Sequence, residues 1–456
     1  MRKLILFIGV SILLNNAYSQ ERLFFINNET NICATKEKKN TKVFDLNERA
    51  YNEIIENKKE VLFIELPFFN NDLLLKLVKF EVNASGMNIY SKTEEGNILL
   101  NITPQLLSYK IFYKDVEIGV INFLNGKIVG TFKLNNKQFE IAQFKGKYIL
   151  FEASNSINSS NFSCAVDSAV SENIPQQMQS QISASSTPVC IELAIEIDQF
   201  TRQTFNTDQE ALDWALAIMA GVSQIYESET NAAVQVSYTY IWNSTDPYNS
   251  WIAQSSSMLS ELQNYWTTNN AAVSRDLVHL LTKRTNTGTG GIAYLDVLCS
   301  NGWGYGFSSS LDNDTNFSFP NPSYTWNLNV CSHEIGHNIK SEHTHWCGWA
   351  ADPFIPFAGG VIDNCVDVQG SCPNNPLPQL GTIMSYCHTT SGGILLDFHD
   401  VVVSQALDVG ISNATCLTTC DYYGCTDITA CNYDPLAQCD DGSCILPDGC
   451  TNLTAC

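Results

Sequence analysis

His333-Glu334-Ile335-Gly336-His337-Asn338-Ile339-Lys340-Ser341-Glu342-His343 is the stretch on which the reading turns. It holds three of the chain's seven histidines, and His345 follows at once. On a helix His333 and His337 stand four residues apart, so both rings leave one face a turn apart. That spacing suits two ligands converging on one tetrahedral zinc. Glu334 is rotated about 100° from His333. It lies beside the metal without having to bind it, which is where a base for an attacking water belongs. His343 comes six residues after His337, so the chain has to turn near Lys340 and Ser341 to return it as a third ligand. The run 323–330 ahead of the motif leads into a buried helix. A bare HExxH arises by chance in many proteins; the third histidine at ligand spacing makes it a zinc prediction.

With Gly381-Thr382-Ile383-Met384-Ser385-Tyr386, the motif resembles the metzincin zinc endopeptidases. In that clan the second motif is a tight turn setting a methionine, here Met384, beneath the zinc. His333–Asn338 and the surrounding cysteines look most like the reprolysin (adamalysin-like) branch. Ser341-Glu342-His343-Thr344-His345, Ile362-Asp363-Asn364-Cys365 and Gly381–His388 look like its secreted bacterial members. The likeness covers about residues 188–420. It implies Zn2+ held by His333, His337 and His343, with Glu334 as catalytic base and protein or peptide substrates. Lys340 departs from the pattern, which has glycine there for a left-handed turn; a non-glycine residue would add about 1–2 kcal/mol. Tyr386 has two readings. It is either a packed ring or, as in the astacin and serralysin branches, a fifth zinc or oxyanion contact.

At 456 residues the chain is long for one domain, so two or three are expected. Its charge is uneven. Residues 1–164 hold 20 Lys+Arg and 17 Asp+Glu, and the remainder hold 5 and 30. That acidity argues against nucleic acid or anionic lipid as partner. It leaves a structural Ca2+ as an alternative to plain solvated acid. The small basic excess of the first part suits docking on the second. Met1-Arg2-Lys3, the apolar run Leu4–Leu14 and Ala17-Tyr18-Ser19 read as a signal peptide over 1–19. That run is too short to span a bilayer, and no later one is long and apolar enough. A secreted or cell-surface protein is expected, and 17 cysteines fit an oxidising compartment.

Residues 20–164 read as β-rich, with strands at Val61–Leu66, Ile118–Phe123 and Tyr148–Glu152 and turns at Asn125-Gly126 and Asn135-Asn136. Their position suggests a pro-domain acting as intramolecular inhibitor; the alternative is an independent binding domain. Cys164-Ala165-Val166 is similar to the cysteine switch of reprolysin pro-domains, a thiolate on the open zinc position. The competing reading pairs Cys164 with Cys33. Residues 165–187 are rich in Ser, Gln and Ala, a linker where activation cleavage is expected.

From 188 to 420 strand and helix patterns alternate: Val189–Ile197, Asp208–Glu229, Val234–Trp242, Ser257–Trp266 and Leu277–Thr282. This predicts an α/β (α+β) domain with a mixed, mostly parallel sheet under covering helices. Gly291-Ile292-Ala293-Tyr294 looks like the antiparallel metzincin edge strand that holds substrate by its backbone. Cys347, Cys365, Cys372 and Cys387 are expected in disulfides whose pairing stays open. His345 and His388 are expected around the site or on the surface rather than as ligands. In 421–456, Gly424–Cys431 recurs as Gly449–Cys456. The module resembles short Cys-rich repeats of secreted and surface Bacteroidetes proteins. Its second copy is incomplete, so the natural chain is expected to continue, and Asp440-Asp441-Gly442 reads as a calcium-binding or a solvated turn.

The expected protein is a secreted zinc metalloendopeptidase made as a zymogen. Its rivals are a vestigial metzincin used for adhesion and a zinc hydrolase acting on a non-peptide amide.

Overall fold

Alternating apolar residues and short Asn-containing turns build the N-terminal part from hairpins. A computed structural model describes residues 20–26, 41–69, 71–155, 188–312, 322–350, 360–372, 380–390 and 392–420, with isolated residues beyond. The signal-peptide segment, Cys33, Cys164, the linker and most of the terminal repeats lie outside the described residues.

The N-terminal elements are β1 (Gln20–Glu21), β2 (Phe24–Phe25), β3 (Thr41–Leu46), α1 (Glu48–Asn57), β4 (Val61–Leu66), β5 (Leu73–Phe80), β6 (Asn83–Thr93), β7 (Gly96–Leu99), β8 (Leu107–Tyr113), β9 (Val116–Leu124), β10 (Lys127–Leu134), β11 (Lys137–Phe144) and β12 (Lys147–Glu152). Ten of these strands form one sheet, ordered β1-β4-β5-β8-β9-β10-β11-β12-β3-β2. Asn125-Gly126 and Asn135-Asn136 close its central hairpins in the left-handed backbone region that matches strand twist.

The second part follows the predicted alternation: β13 (Val189–Ile197), α2 (Gln199–Arg202), α3 (Asp208–Thr230), β14 (Ala232–Trp242), α4 (Ser255–Asn269), β15 (Leu277–Leu281), β16 (Gly291–Ala293), β17 (Tyr305–Ser308) and α5 (Ser323–Ile339). Its sheet runs β16-β17-β15-β13-β14, parallel except for β16, which is antiparallel to β17. Beyond β14 the sheet continues into β6 and β7. That hairpin comes from the N-terminal part, and β6 pairs parallel to β14 from Asn83↔Val236 to Lys92↔Trp242. The sequence reading did not anticipate this exchange. An alternating pattern marks a strand but does not say which sheet it joins.

Helix α3 shows why the two parts pack as they do. Thr207 caps it by accepting from the Glu210 amide at 3.1 Å, and Asn231 ends it in the left-handed conformation. Every residue from Ala211 to Tyr226 is buried. An apolar helix of this kind needs cover on all sides. Met219, Val222, Leu328, Ile335 and Leu193 share one core with Val82, Ile89, Val120 and Leu124 of the N-terminal part. Disulfides Cys190–Cys420 and Cys299–Cys416 tie the end of the described chain back to the sheet. Cys347–Cys372 and Cys365–Cys387 give the pairing that the sequence left open. Among the described residues no helix is long and apolar enough to cross a membrane.

On the opposite face of the sheet, Glu196 is wholly buried. Trp242, Tyr248 and Trp266 donate to its two oxygens. Burial outweighs these donors and pushes the carboxyl up to about 7. An unfolded glutamate titrates near about 4.3. The folded state therefore holds this proton longer. The contribution is fully present below about pH 4.3 and is lost as pH rises to about 7, on the order of 3 kcal/mol. Urea unfolding of wild type and Glu196→Gln across that window measures it. The variant is expected to lose this part of the pH slope, and identical slopes would refute the assignment.

Candidate metal centre

Helix α5 carries the motif with Tyr324–Ile339 all buried. Two contacts fix its rotation. Tyr226 donates its hydroxyl to the Ser332 carbonyl at 2.7 Å. The Asn338 side chain donates to the carbonyls of Tyr294 and Tyr305 at 2.8 and 3.0 Å. The helix ends where the amides of Lys340 and Ser341 both return to the Gly336 carbonyl. Lys340 has φ 170°, outside the left-handed region, and its ammonium pairs with Asp296 at 2.6 Å. The left-handed turn expected at this position, with its cost for a lysine, does not arise.

The turn brings His343 back beside the helix. His337 Nε2 lies 3.1 Å from His333 Nε2 and 3.2 Å from His343 Nε2. Each Nδ1 faces an oxygen: Ile383 O for His333 at 2.7 Å, Ser341 O for His337 at 2.6 Å and Gln369 Oε1 for His343 at 3.2 Å. Those oxygens accept, so each Nδ1 carries the proton and each Nε2 presents a bare lone pair. Burial pushes His333 down to about 4. It holds His337 and His343 well below the usual histidine range, with neighbouring imidazoles adding to the effect. Protons therefore do not fill the gap between the nitrogens. A tetrahedral zinc with nitrogen at about 2.0–2.1 Å has ligand edges of about 3.3 Å, so the donor set fits that ion. Two further groupings, Asp276 with Cys299 and Cys416 and Asp363 with Cys365 and Cys387, have their sulfurs in disulfides.

Glu334 is wholly buried, and its carboxylate lies against β16. A Cβ at Gly291 would stand 2.3 Å from Glu334 Oε1, so this approach requires glycine. Ile292 and Ala293 complete the edge strand, and Tyr294 follows with its hydroxyl donating to Gln263 at 2.8 Å. Met384 lies under the middle of the motif, where a Cβ at Gly336 would come within 2.9 Å of its sulfur. The Thr344 amide and hydroxyl both donate to the Met384 carbonyl. The Tyr386 hydroxyl reaches 3.3 Å from His343 Nε2.

His345 and His388 are buried, which removes the surface alternative. His345 stacks on the His343 ring at 4.9 Å, and His388 packs against Trp326 at 5.3 Å. The structure thus brings together His333, His337, His343, Glu334, Met384, Tyr386 and the edge strand; Cys164 lies outside the described residues. Sequence reading missed the oxygens that orient the imidazoles. Gln369 has no local signal beyond its place in the loop that Cys347–Cys372 closes.

Three such nitrogens beside a carboxylate belong to metal-dependent hydrolases. Residues 187–393 match the Reprolysin_5 model, described as metallo-peptidase family M12. That match supports a metalloprotease in general and implies a catalytic metal, typically zinc, and protein substrates. No curated protein matches the sequence. Among solved structures, metalloproteinase-II from Bacteroides fragilis is similar at 12% identity, with 67% of this chain and 87% of that chain covered and a TM-score of 0.37.

Gln369→Ala removes the acceptor that orients His343. Zinc retention against a competing chelator is expected to weaken by about 10–100-fold. Unchanged retention would show that the contact at 3.2 Å has no part in holding the ring.

Proposed function

We propose that the chain is a secreted zinc-dependent metalloendopeptidase made as a zymogen. In this reading His333, His337 and His343 hold the metal and Glu334 is the general base. The observation that carries it is the convergence of three neutral, buried Nε2 atoms beside a carboxylate lodged at the sheet edge.

When bound, zinc supplies Lewis-acid polarisation of a carbonyl and lowers the pKa of water. The chain's residues do the rest. Strand β16 stands at the end of its sheet and takes an extended peptide by main-chain hydrogen bonds, which sets the scissile carbonyl over the histidines. The Glu334 carboxylate accepts a proton from the attacking water and then delivers it to the departing amine nitrogen. The Tyr386 hydroxyl donates to the oxygen that gains negative charge. Met384 packs beneath the histidines and takes no part in proton transfer.

Export rests on the leader at 1–19 and is supported by four disulfides among the described residues. Latency rests on the position of the N-terminal part, on Cys164 and on cleavage within 165–187. The rival reading as a vestigial adhesion protein drew on the terminal repeats and on Lys340. With φ 170° at that residue, the departure from glycine no longer speaks for decay.

Purified chain trimmed in the linker is expected to cleave casein and to lose that activity with a zinc chelator. Glu334→Ala is expected to cost about 10²–10⁴-fold in rate while keeping one zinc per chain by elemental analysis. Undiminished cleavage by the zinc-loaded variant would sink the assignment.

A further inference from the structure

We infer that the N-terminal domain is a permanent part of the catalytic unit: it stays bound after the chain is cut between residues 165 and 187, and it fixes the start of the metal-site helix through Glu140.

The first amides of any helix lack partners within it. Helix α5 opens after Pro322, and no side-chain cap comes from that residue. The cap comes from the other domain. Glu140, on β11 and wholly buried, accepts from the amides of Tyr324 and Thr325 at 3.3 and 2.8 Å. A carboxylate at this end also complements the helix dipole. Further bonds continue the seam. Asn122 donates to the Tyr324 hydroxyl at 2.7 Å, which itself donates to the Ala217 carbonyl on α3. The hydroxyls of Thr131 and Thr325 meet at 3.0 Å. The helix that carries His333, Glu334 and His337 is thus seated by three β-strands of the N-terminal domain. Glu140 is a positioning residue and reaches no reacting atom.

The rest of the contact is that of one folded unit. β6 and β7 extend the catalytic sheet at the end opposite β16, so this attachment leaves the proposed substrate edge alone. Val82, Ile89, Val120 and Leu124 sit in the same apolar core as α3 and α5. Departure of the domain would strip β14 of its partner on one side and expose a helix that is apolar all round. Lys110 pairs with Glu227 at 2.6 Å and Lys133 with Asp397 at 2.5 Å across the boundary.

The test uses the full chain with a site-specific protease sequence inserted in the linker. After complete cutting, both fragments are expected to elute together at the volume of the uncut chain in native size-exclusion. Separate elution would overturn the inference. Elution does not depend on hydrolysis, so either result leaves the peptidase reading to its own test. Glu140→Ala is expected to lower the urea concentration at which the cut fragments part, and to weaken zinc retention about five-fold, the size of a lost helix cap. Glu140→Gln keeps an acceptor oxygen and is expected to restore most of both. It also serves as the test variant if the alanine form does not fold, with a smaller loss in the same direction. Variants that match wild type in both readouts would overturn the capping role.

Discussion

Three bare imidazole nitrogens stand 3.1 and 3.2 Å from one another along the set, on buried side chains. Lone pairs at that separation repel, and burial keeps protons from relieving them. Only a cation makes the arrangement favourable, and until one binds the surrounding chain has to hold it. It does so from three separate segments. Ser341 lies just past the end of α5, Ile383 precedes Met384, and Gln369 sits in the loop between Cys347 and Cys372. A shift in any one of them turns one ring away.

Holding those segments in register explains much of the fold around them. The Met384 sulfur needs Gly336 in the helix to come close, and the Met384 carbonyl in turn anchors Thr344 beside His343. Asn338 ties the same helix to the backbone of the edge region, while Glu334 lies on Gly291. The cleft is therefore one mechanical unit. The strand that would receive a peptide, the carboxylate that would move its proton and the ligand helix are set by shared contacts.

Much of this was legible in the sequence because its signals are local. His333 and His337 share a helix face by spacing alone, the turns at Asn125-Gly126 and Asn135-Asn136 close where expected, and the strand and helix patterns of 189–281 fall within a few residues of the observed elements. What was not legible depends on long-range placement. β17 is four residues, Tyr305–Ser308, too short to show a pattern. Gln369 gives no local sign that it will face an imidazole 26 residues away. Lys340 looked costly because the family pattern implied a left-handed residue, whereas the observed turn avoids the left-handed region and sets two amides on one carbonyl. The exchange of β6 and β7 between sheets could not be read from alternation, since either sheet accepts the same pattern.

That exchange changes what a leading domain means here. From position alone, the N-terminal part reads as something to be removed. Its charge, mildly basic against an acidic partner, fits the two boundary ion pairs and is equally compatible with a temporary contact. Temporary contacts between domains are usually modest and polar. A shared sheet and a shared apolar core are not, and a carboxylate buried on the first turn of the metal-site helix is less so still. Blocking a cleft and building the scaffold behind it are different tasks, served by different surfaces. The described contacts lie at the far sheet edge, at the start of α5, along α3 and at Asp397, so they serve the second. In that arrangement, cutting the linker and losing the domain are separate events.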